Sequence, residues 1–397
     1  MRKLITFILI IVLSVGGYAS PKKSFEIKRG VNLSHWLSQR GENTPSIQDG
    51  MSATDFSRIA RAGFDHVRLP IDEEVLWQEN GQKNKEAFSY LHKGIEWALK
   101  NDLRVIVDLH IVRSHYFNAG NEGKKNSLWE KPEAQTHFLA LWQDLVQELK
   151  GYSTSDVAYE IMNEPTAPNH EDWNKLVEKA YQIIRKVEKE RVIVIGSNMW
   201  QGVDTFQYLK VPQGDEFILL SCHFYEPFLL SHYQAGWTEF GKYQGNVHYP
   251  GYLVSKDEFD SLSADDKKLV ARWRTTPWNR ETLSAFLSKA KRVADEKGLN
   301  LYCGEFGIYE KAPIESALKW YADVISVFDS LNIAWAKWDY KGGFGIYTSQ
   351  NQQKKDLLKV LMSGSGKKVV VGETPVYLDT RKPLELRVKD ALNRMTV

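Results

Sequence analysis

"VAYEIMNEP" runs from Val157 to Pro165. It opens as an apolar strand and closes on an Asn–Glu pair and a proline. Desolvating a carboxylate at the mouth of a buried strand is costly, so Asn163 and Glu164 need a reason to stand there. The neighbouring stretches follow the same pattern. "LRVIVDLH" (103–110) precedes it and "RVIVIGSNMW" (191–200) follows. Amphipathic helical patterns lie between them. "AQTHFLALWQDLVQELKG" puts its apolar residues on one face, and Gly151 is a natural helix stop.

Outward from this centre the alternation continues. "RGVNLSHW" (29–36) and "FDHVRLPI" (64–71) come earlier. "FILLSCHFYEP" (217–227), "LNLYCGEFG" (299–307) and "IAWAKWDY" (333–340) come later, which makes eight strands. Ser52 to Asp55 reads as a capped helix start. "KEAFSYLHKGIEWALKN", "WNKLVEKAYQIIRKVEKE", "ETLSAFLSKAKRVADEKG" and "ESALKWYADVISVFDSL" supply further helices. The strands are short and rich in Val and Ile without strict alternation, which suits a parallel sheet buried on both faces. Eight such units predict an α/β fold, a (β/α)8 TIM barrel. An open doubly wound sheet is disfavoured, because no GxGxxG turn follows the first strand. The connection from Pro227 to Asn279 is far longer than an ordinary loop. Its aromatic content argues for an ordered insertion after strand six. A small terminal strand is expected within 369–383, and no linker divides the chain.

Composition narrows the function. Aromatics reach 12%, with 13 Trp, 18 Tyr and 17 Phe. Such a supply fits a large core or a surface that stacks on sugar rings. Arg2 and Lys3 precede an apolar run from Leu4 to Val15, with Tyr18-Ala19 closing a small-residue cleavage pattern. Residues 1–19 read as a signal peptide and 20–397 as one catalytic domain. The expected location is secreted or periplasmic. Without Arg2 and Lys3, 50 basic residues face 50 acidic ones. Nucleic acid and anionic membranes are poor partners for that surface, and a monomer is expected.

The carboxyl ends of barrel strands face the active site. Arg68 ends the second strand, Asp108 and His110 the third, and Asn163 and Glu164 the fourth. His223 and Tyr225 end the sixth, Glu305 the seventh, and Trp338 and Asp339 the eighth. Any one of these could be a structural ion pair. Polar or aromatic groups at six matching ends point to a site. Two glutamates on separated strands suggest glycoside hydrolysis, with retention if they lie about 5–5.5 Å apart. An arginine beside one of them would keep that one ionised.

The chain resembles glycoside hydrolase family five, the cellulase-type member of the (β/α)8 glycosidase clan. The likeness runs from "RGVNLSHW" to "WDYKGGFGIY", with "RLPI", "NEP", "HFYEP" and "GEFG" between. It implies that Glu164 is the acid/base and Glu305 the nucleophile. It implies a sugar 2-hydroxyl contact for Asn163, orienting roles for His223 and Tyr225, and a floor for one sugar from Trp338. Arg68 and His110 complete the implied set. "DLHIVRSHYFN" departs from the family's paired histidines at strand three.

Other residues carry lesser expectations. Trp36, Trp200 and Trp237 are core residues or candidate sugar platforms, and the places of Trp200 after strand five and Trp237 in the long connection favour the platform. That connection, with Tyr233, Trp237, Tyr243, Tyr249 and Tyr252, is expected to wall the cleft and stack on sugars. Trp97, Trp142 and Trp320 lie on helices as packing. If His223 and Glu305 both point inward, Cys222 points out and Cys303 in, and no disulfide joins them. No metal site has the right spacing, and no cofactor is expected. Asp339 reads as a partner for a nearby cation. The expected partner is a polysaccharide or oligosaccharide, and the expected activity a retaining endo-β-glycosidase on β-1,4-glucan. Mannan, xyloglucan, β-1,3-glucan and exopolysaccharide are the rival substrates. A barrel that binds polysaccharide without cutting it is the rival class.

Overall fold

Each of the eight apolar runs contains a strand. They span Arg29–Asn32, His66–Asp72, Arg104–Ile111, Val157–Glu160, Ile193–Gly196, Ile218–Phe224, Asn300–Phe306 and Ala334–Lys337. The computed structural model describes residues 24–42, 44–123, 125–348, 352–372 and 383–395. In it these strands close into a parallel barrel, the last pairing with the first through Gly30 and Ala336. The proposed signal segment 1–19 lies outside the described residues.

The helical patterns fold as expected. Ala53–Arg61 begins at the Ser52 cap, whose backbone N–H donates to Asp55 Oδ2 at 3.0 Å. Lys85–Leu99, Pro132–Leu149, His170–Val187, Arg280–Glu296 and Ile314–Ser330 follow, with Lys355–Leu361 after the last strand. Between strands five and six the described connection is a 3-10 segment, Val203–Tyr208. Alternate residues of each strand point inward. The inner core holds Ile106, Ala158, Val194, Leu219, Tyr302 and Ala336. Phe25–Ile27 pairs antiparallel with Val369–Val371. Their apolar side chains join the same inner core. The expected terminal strand is therefore real but short, and residues 373–382 lie outside the described set. A further helix, Leu384–Met395, follows.

Three expectations need correction. Trp36 is not a sugar platform, being 1% exposed. It stacks on Trp97 at 6.3 Å and donates its indole N–H to Ile47 O at 2.8 Å. The chain turns it back beneath the helices that carry Phe56, Tyr90 and Trp97. Cys303 does not point inward. It sits opposite Cys222 in register, and both join the outer core. The pairing shifts register between Cys303 and Phe306, which breaks strict alternation. Both thiols are buried and free. Finally, the connection after strand six is not mainly a sugar wall. It folds into short helices at Phe228–Ser231, Lys256–Ser261 and Ala264–Val270. Tyr243 and Tyr249 are buried, the latter donating to Asp323 Oδ2 at 2.7 Å. Half-buried Tyr233 donates to Gly245 O at 2.9 Å. Among its expected aromatics, Trp237 and Tyr252 remain exposed.

Candidate active site

Arg68 is fully buried, so its guanidinium must find partners. It donates to both Glu160 oxygens, at 2.6 and 3.1 Å. It reaches Asn32 Oδ1 at 2.9 Å, Asn163 Oδ1 at 2.9 Å and Glu305 Oε1 at 2.7 Å. Asp108 Oδ2 lies 3.0 Å away. One cation thus gathers three carboxylates from the third, fourth and seventh strands. Register makes this possible: Asn32 aligns with Arg68, and Asp108 with Glu160. Burial pushes Asp108 up to about 7, against the pull of Arg68. Those carboxylates hold the guanidinium well above its ordinary value, despite the opposing cost of burial.

Glu305 has a second partner, Tyr225, whose hydroxyl donates to Oε2 at 2.9 Å. Glu164 is held by His223, with Nδ1 and Oε1 2.8 Å apart. The same Nδ1 lies 3.7 Å from Glu305 Oε2. Oxygens of the two glutamates and this ring nitrogen all fall within 4.8 Å of one another. Gly304 permits the approach, since a Cβ there would stand 3.1 Å from His223 Nε2.

The two carboxyls differ in environment. Burial and then the charge of Glu305 push Glu164 well above the usual carboxylate range. Burial also raises Glu305, but Arg68 and the Tyr225 hydroxyl pull it back. Burial, then the charge of Arg68, keeps His223 neutral by driving it well below 6.5. Burial, then the Glu305 charge, lifts Tyr225 well above 10, so it stays a donor. The arrangement makes Glu164 the more readily protonated of the two carboxyls.

Glu164 is held differently from the sequence expectation. Its strand ends at Glu160. Glu164 itself has φ 43°, the left-handed region, where a side chain is strained. The segment is fixed by individual bonds. Asn163 N donates to Leu109 O at 3.1 Å and Glu164 N to Gln201 Oε1 at 2.9 Å. Pro165 O accepts from Trp200 N at 3.2 Å, and Thr166 N reaches His115 Nε2 at 3.2 Å.

His110 and Trp338 stack with rings 5.6 Å apart and 5° from parallel. Asp108 holds His110 Nδ1 at 2.7 Å, and burial keeps that ring neutral, near about 3. His110 Nε2 and Asn163 Nδ2 have no partner within the described protein. Trp200 is 45% exposed and donates to Phe117 O at 3.0 Å, and Phe117 packs edge-on against His110. Trp237 is 48% exposed and meets Tyr309 edge-on at 4.9 Å. Phe344 links it to Tyr225. Trp200 thus reaches His110 through Phe117, and Trp237 reaches Tyr225 through Phe344. Asp339 accepts from the Ser34 hydroxyl and feels the charge of buried Lys337.

Residues 28–343 match the Cellulase family model, glycosyl hydrolase family 5. The chain belongs to that family. Endoglucanase C of Acetivibrio thermocellus is 31% identical over 342 residues, covering 85% of this chain and 97% of that protein. Cellodextrinase A of Ruminococcus flavefaciens is 28% identical, covering 79% of this chain and 85% of that one. Thermotoga maritima Cel5A, solved with cellobiose, has TM-score 0.68 at 28% identity, covering 85% and 97% of the two chains. The same protein solved with mannotriose gives TM-score 0.67, also at 28% identity and the same coverage. This family 5 chain is an endo-1,4-β-glucanase-like glycoside hydrolase.

Sequence reasoning missed several contributors to the family 5 site. Asn32 and Glu160 were read only as parts of strands, although a charge in the middle of a buried strand is itself a signal. Gln201 gave no signal at all. Among the described residues, Glu164, His223 and Glu305 are also the one group of three close metal-ligating side chains. Linear spacing could not reveal them, because two come from separate strands and Glu164 from the segment after a third. Their atoms are already engaged with each other, with Arg68 and with Tyr225. Such bonding suits proton transfer and nucleophilic attack.

Proposed function

We propose that this family 5 hydrolase is a secreted, retaining endo-β-1,4-glucanase acting through Glu164 and Glu305. The observation carrying the reading is the closeness of two carboxyls in unequal surroundings. A gap of that size leaves direct attack open and crowds out an intervening water. In the first step Glu305 attacks the anomeric carbon. Glu164 gives its proton to the leaving oxygen as the glycosidic bond breaks. In the second step Glu164 takes a proton from water, whose oxygen displaces Glu305 from the sugar. Each carboxyl ends as it began.

The surrounding residues divide the remaining work. Arg68 and Tyr225 keep Glu305 ionised and aimed. His223 orients Glu164. The free amide hydrogens of Asn163 suit a sugar hydroxyl, and Trp338 offers an apolar face for the ring. Endoglucanases and a cellodextrinase among the relatives support a β-1,4-glucan substrate. Mannan is the second reading, favoured by the mannotriose complex of a structural relative. Secretion rests on the basic-then-apolar start of the chain.

Proton NMR of the first product from a soluble β-1,4-glucan tests the mechanism. Retention of the β-anomer is expected. An initial α-anomer would require a water between the carboxyls and would overturn double displacement. Comparing kcat/KM on glucan and mannan oligosaccharides decides the substrate, with glucan expected to lead.

A further inference from the structure

Met199, Trp200 and Gln201 have φ values of 57°, 59° and 53°. Three successive left-handed residues without a glycine are costly, and persist only when their surroundings hold them. The run sends Trp200 outward and Gln201 inward, the latter fully buried. Gln201 then makes three bonds. Its Oε1 accepts from Glu164 N at 2.9 Å. Its Nε2 donates to Glu160 Oε1 at 3.2 Å. Its backbone carbonyl accepts from His223 N at 3.0 Å. The side-chain amide can face only this way, because the opposite orientation would set its oxygen against the Glu160 carboxylate. The fold also makes room for it. A Cβ at Gly196 would lie 2.3 Å from Gln201 Cγ.

We infer that Gln201 is a positioning residue for the proton donor, fixing the strained Glu164 backbone and tying it to His223 and the Glu160–Arg68 pair. The inference rests on Glu164 being that donor. The amide matches its two neighbours as neither a carboxylate nor an apolar chain does: it accepts from a backbone N–H and donates to a carboxylate. Glu305 keeps its own 2.7 Å bond to Arg68, so the loss of Gln201 falls on Glu164.

The test is Gln201→Met, similar in size but lacking both polar ends. A donor misplaced by about 1 Å costs on the order of 100-fold. The kcat/KM on cellotetraose, whose leaving group needs a proton, should fall roughly 30- to 100-fold. The kcat/KM on 2,4-dinitrophenyl cellobioside, whose leaving group does not, should change less than about threefold. Equal losses on both substrates, or no loss on either, would overturn the proposal. Gln201→Glu is the second variant, and keeps an oxygen for the Glu164 amide. Its new carboxyl would face Glu160, with Arg68 and His223 nearby. Its cellotetraose activity relative to wild type should therefore rise as pH falls and that carboxyl protonates. A flat ratio contradicts the proposal, even if the Met variant does not fold. Glu164→Ala serves as the control. If it shows no selectivity between the substrates, the proton-donor reading falls, and the Gln201 proposal with it. If it does and Gln201→Met does not, the Gln201 proposal falls alone.

Discussion

The strand-end cluster and the long connection after strand six are both crowded, but they are crowded for different purposes. In the cluster, charges are buried and gathered on one cation: Arg68 alone meets Asn32, Asp108, Glu160, Asn163 and Glu305. In the connection, aromatic rings fill space, and Phe240, Tyr243, Tyr249, Trp273 and Trp278 are buried against the barrel. The first region holds groups in place for chemistry. The second holds itself together and leaves Trp237 exposed. Aromatic density in a long loop is thus a sign of a folded loop first, and of ligand contact only for the rings left exposed.

The largest expected effect breaks the chemistry and spares the fold. Glu305→Ala should lose kcat by on the order of 10⁴- to 10⁶-fold, as removal of a nucleophile does elsewhere. Circular dichroism should stay unchanged. Substantial residual turnover would place the nucleophile in another residue.

Arg68→Met should damage both. Three carboxylates would lose their buried cation, costing about 3–5 kcal/mol of stability. The pH profile should move as well. Arg68 favours the charged form of Glu305, so its loss raises that carboxyl further. The acid limb of kcat/KM should shift to higher pH, because Glu305 is then protonated over more of the range. An unmoved acid limb would show that Arg68 does not tune Glu305.

Two loop variants sharpen the contrast. Tyr243→Ala empties a buried site and should cost about 3–5 kcal/mol of stability, read as a lower Tm with KM little altered. Trp237→Ala should do the reverse. It should weaken long oligosaccharides by about 1–3 kcal/mol through KM, with Tm nearly unchanged and short aryl glycosides barely affected. If Trp237→Ala lowered Tm as far as Tyr243→Ala does, its contacts with Tyr309 and Phe344 would be structural, and the connection would have no role in binding.

How far each region could be read from sequence follows from the same physics. Strands and helices repeat with clear periods, so the barrel was legible in full. So was the meeting of Asn163, Glu164 and Glu305 at one end of the barrel, because polar groups at strand ends stand out against apolar runs. Glu160 was legible in principle, being a charge inside "VAYE". Its inward direction matches that of Ala158 in the inner core, and Arg68 faces it from the second strand. Gln201 was not legible, because its role depends on a left-handed run that no local pattern announces. Trp36 and Cys303 misled for related reasons. A turn buried the first, and a register shift rotated the second. Tyr243 and Tyr249 misled because exposure is decided by tertiary packing, to which local sequence is blind.

In the proposed mechanism Glu305 attacks while Glu164 supplies the proton. The most direct measurement is covalent trapping with 2,4-dinitrophenyl 2-deoxy-2-fluoro-β-cellobioside, followed by peptide mass spectrometry. The fluorine slows both steps, and the activated leaving group restores the first, so the glycosyl-enzyme accumulates. One label per chain is expected, on the peptide containing Glu305, with activity lost in proportion. A label on Glu164 or any other residue, or time-dependent turnover with no covalent adduct, would contradict the account.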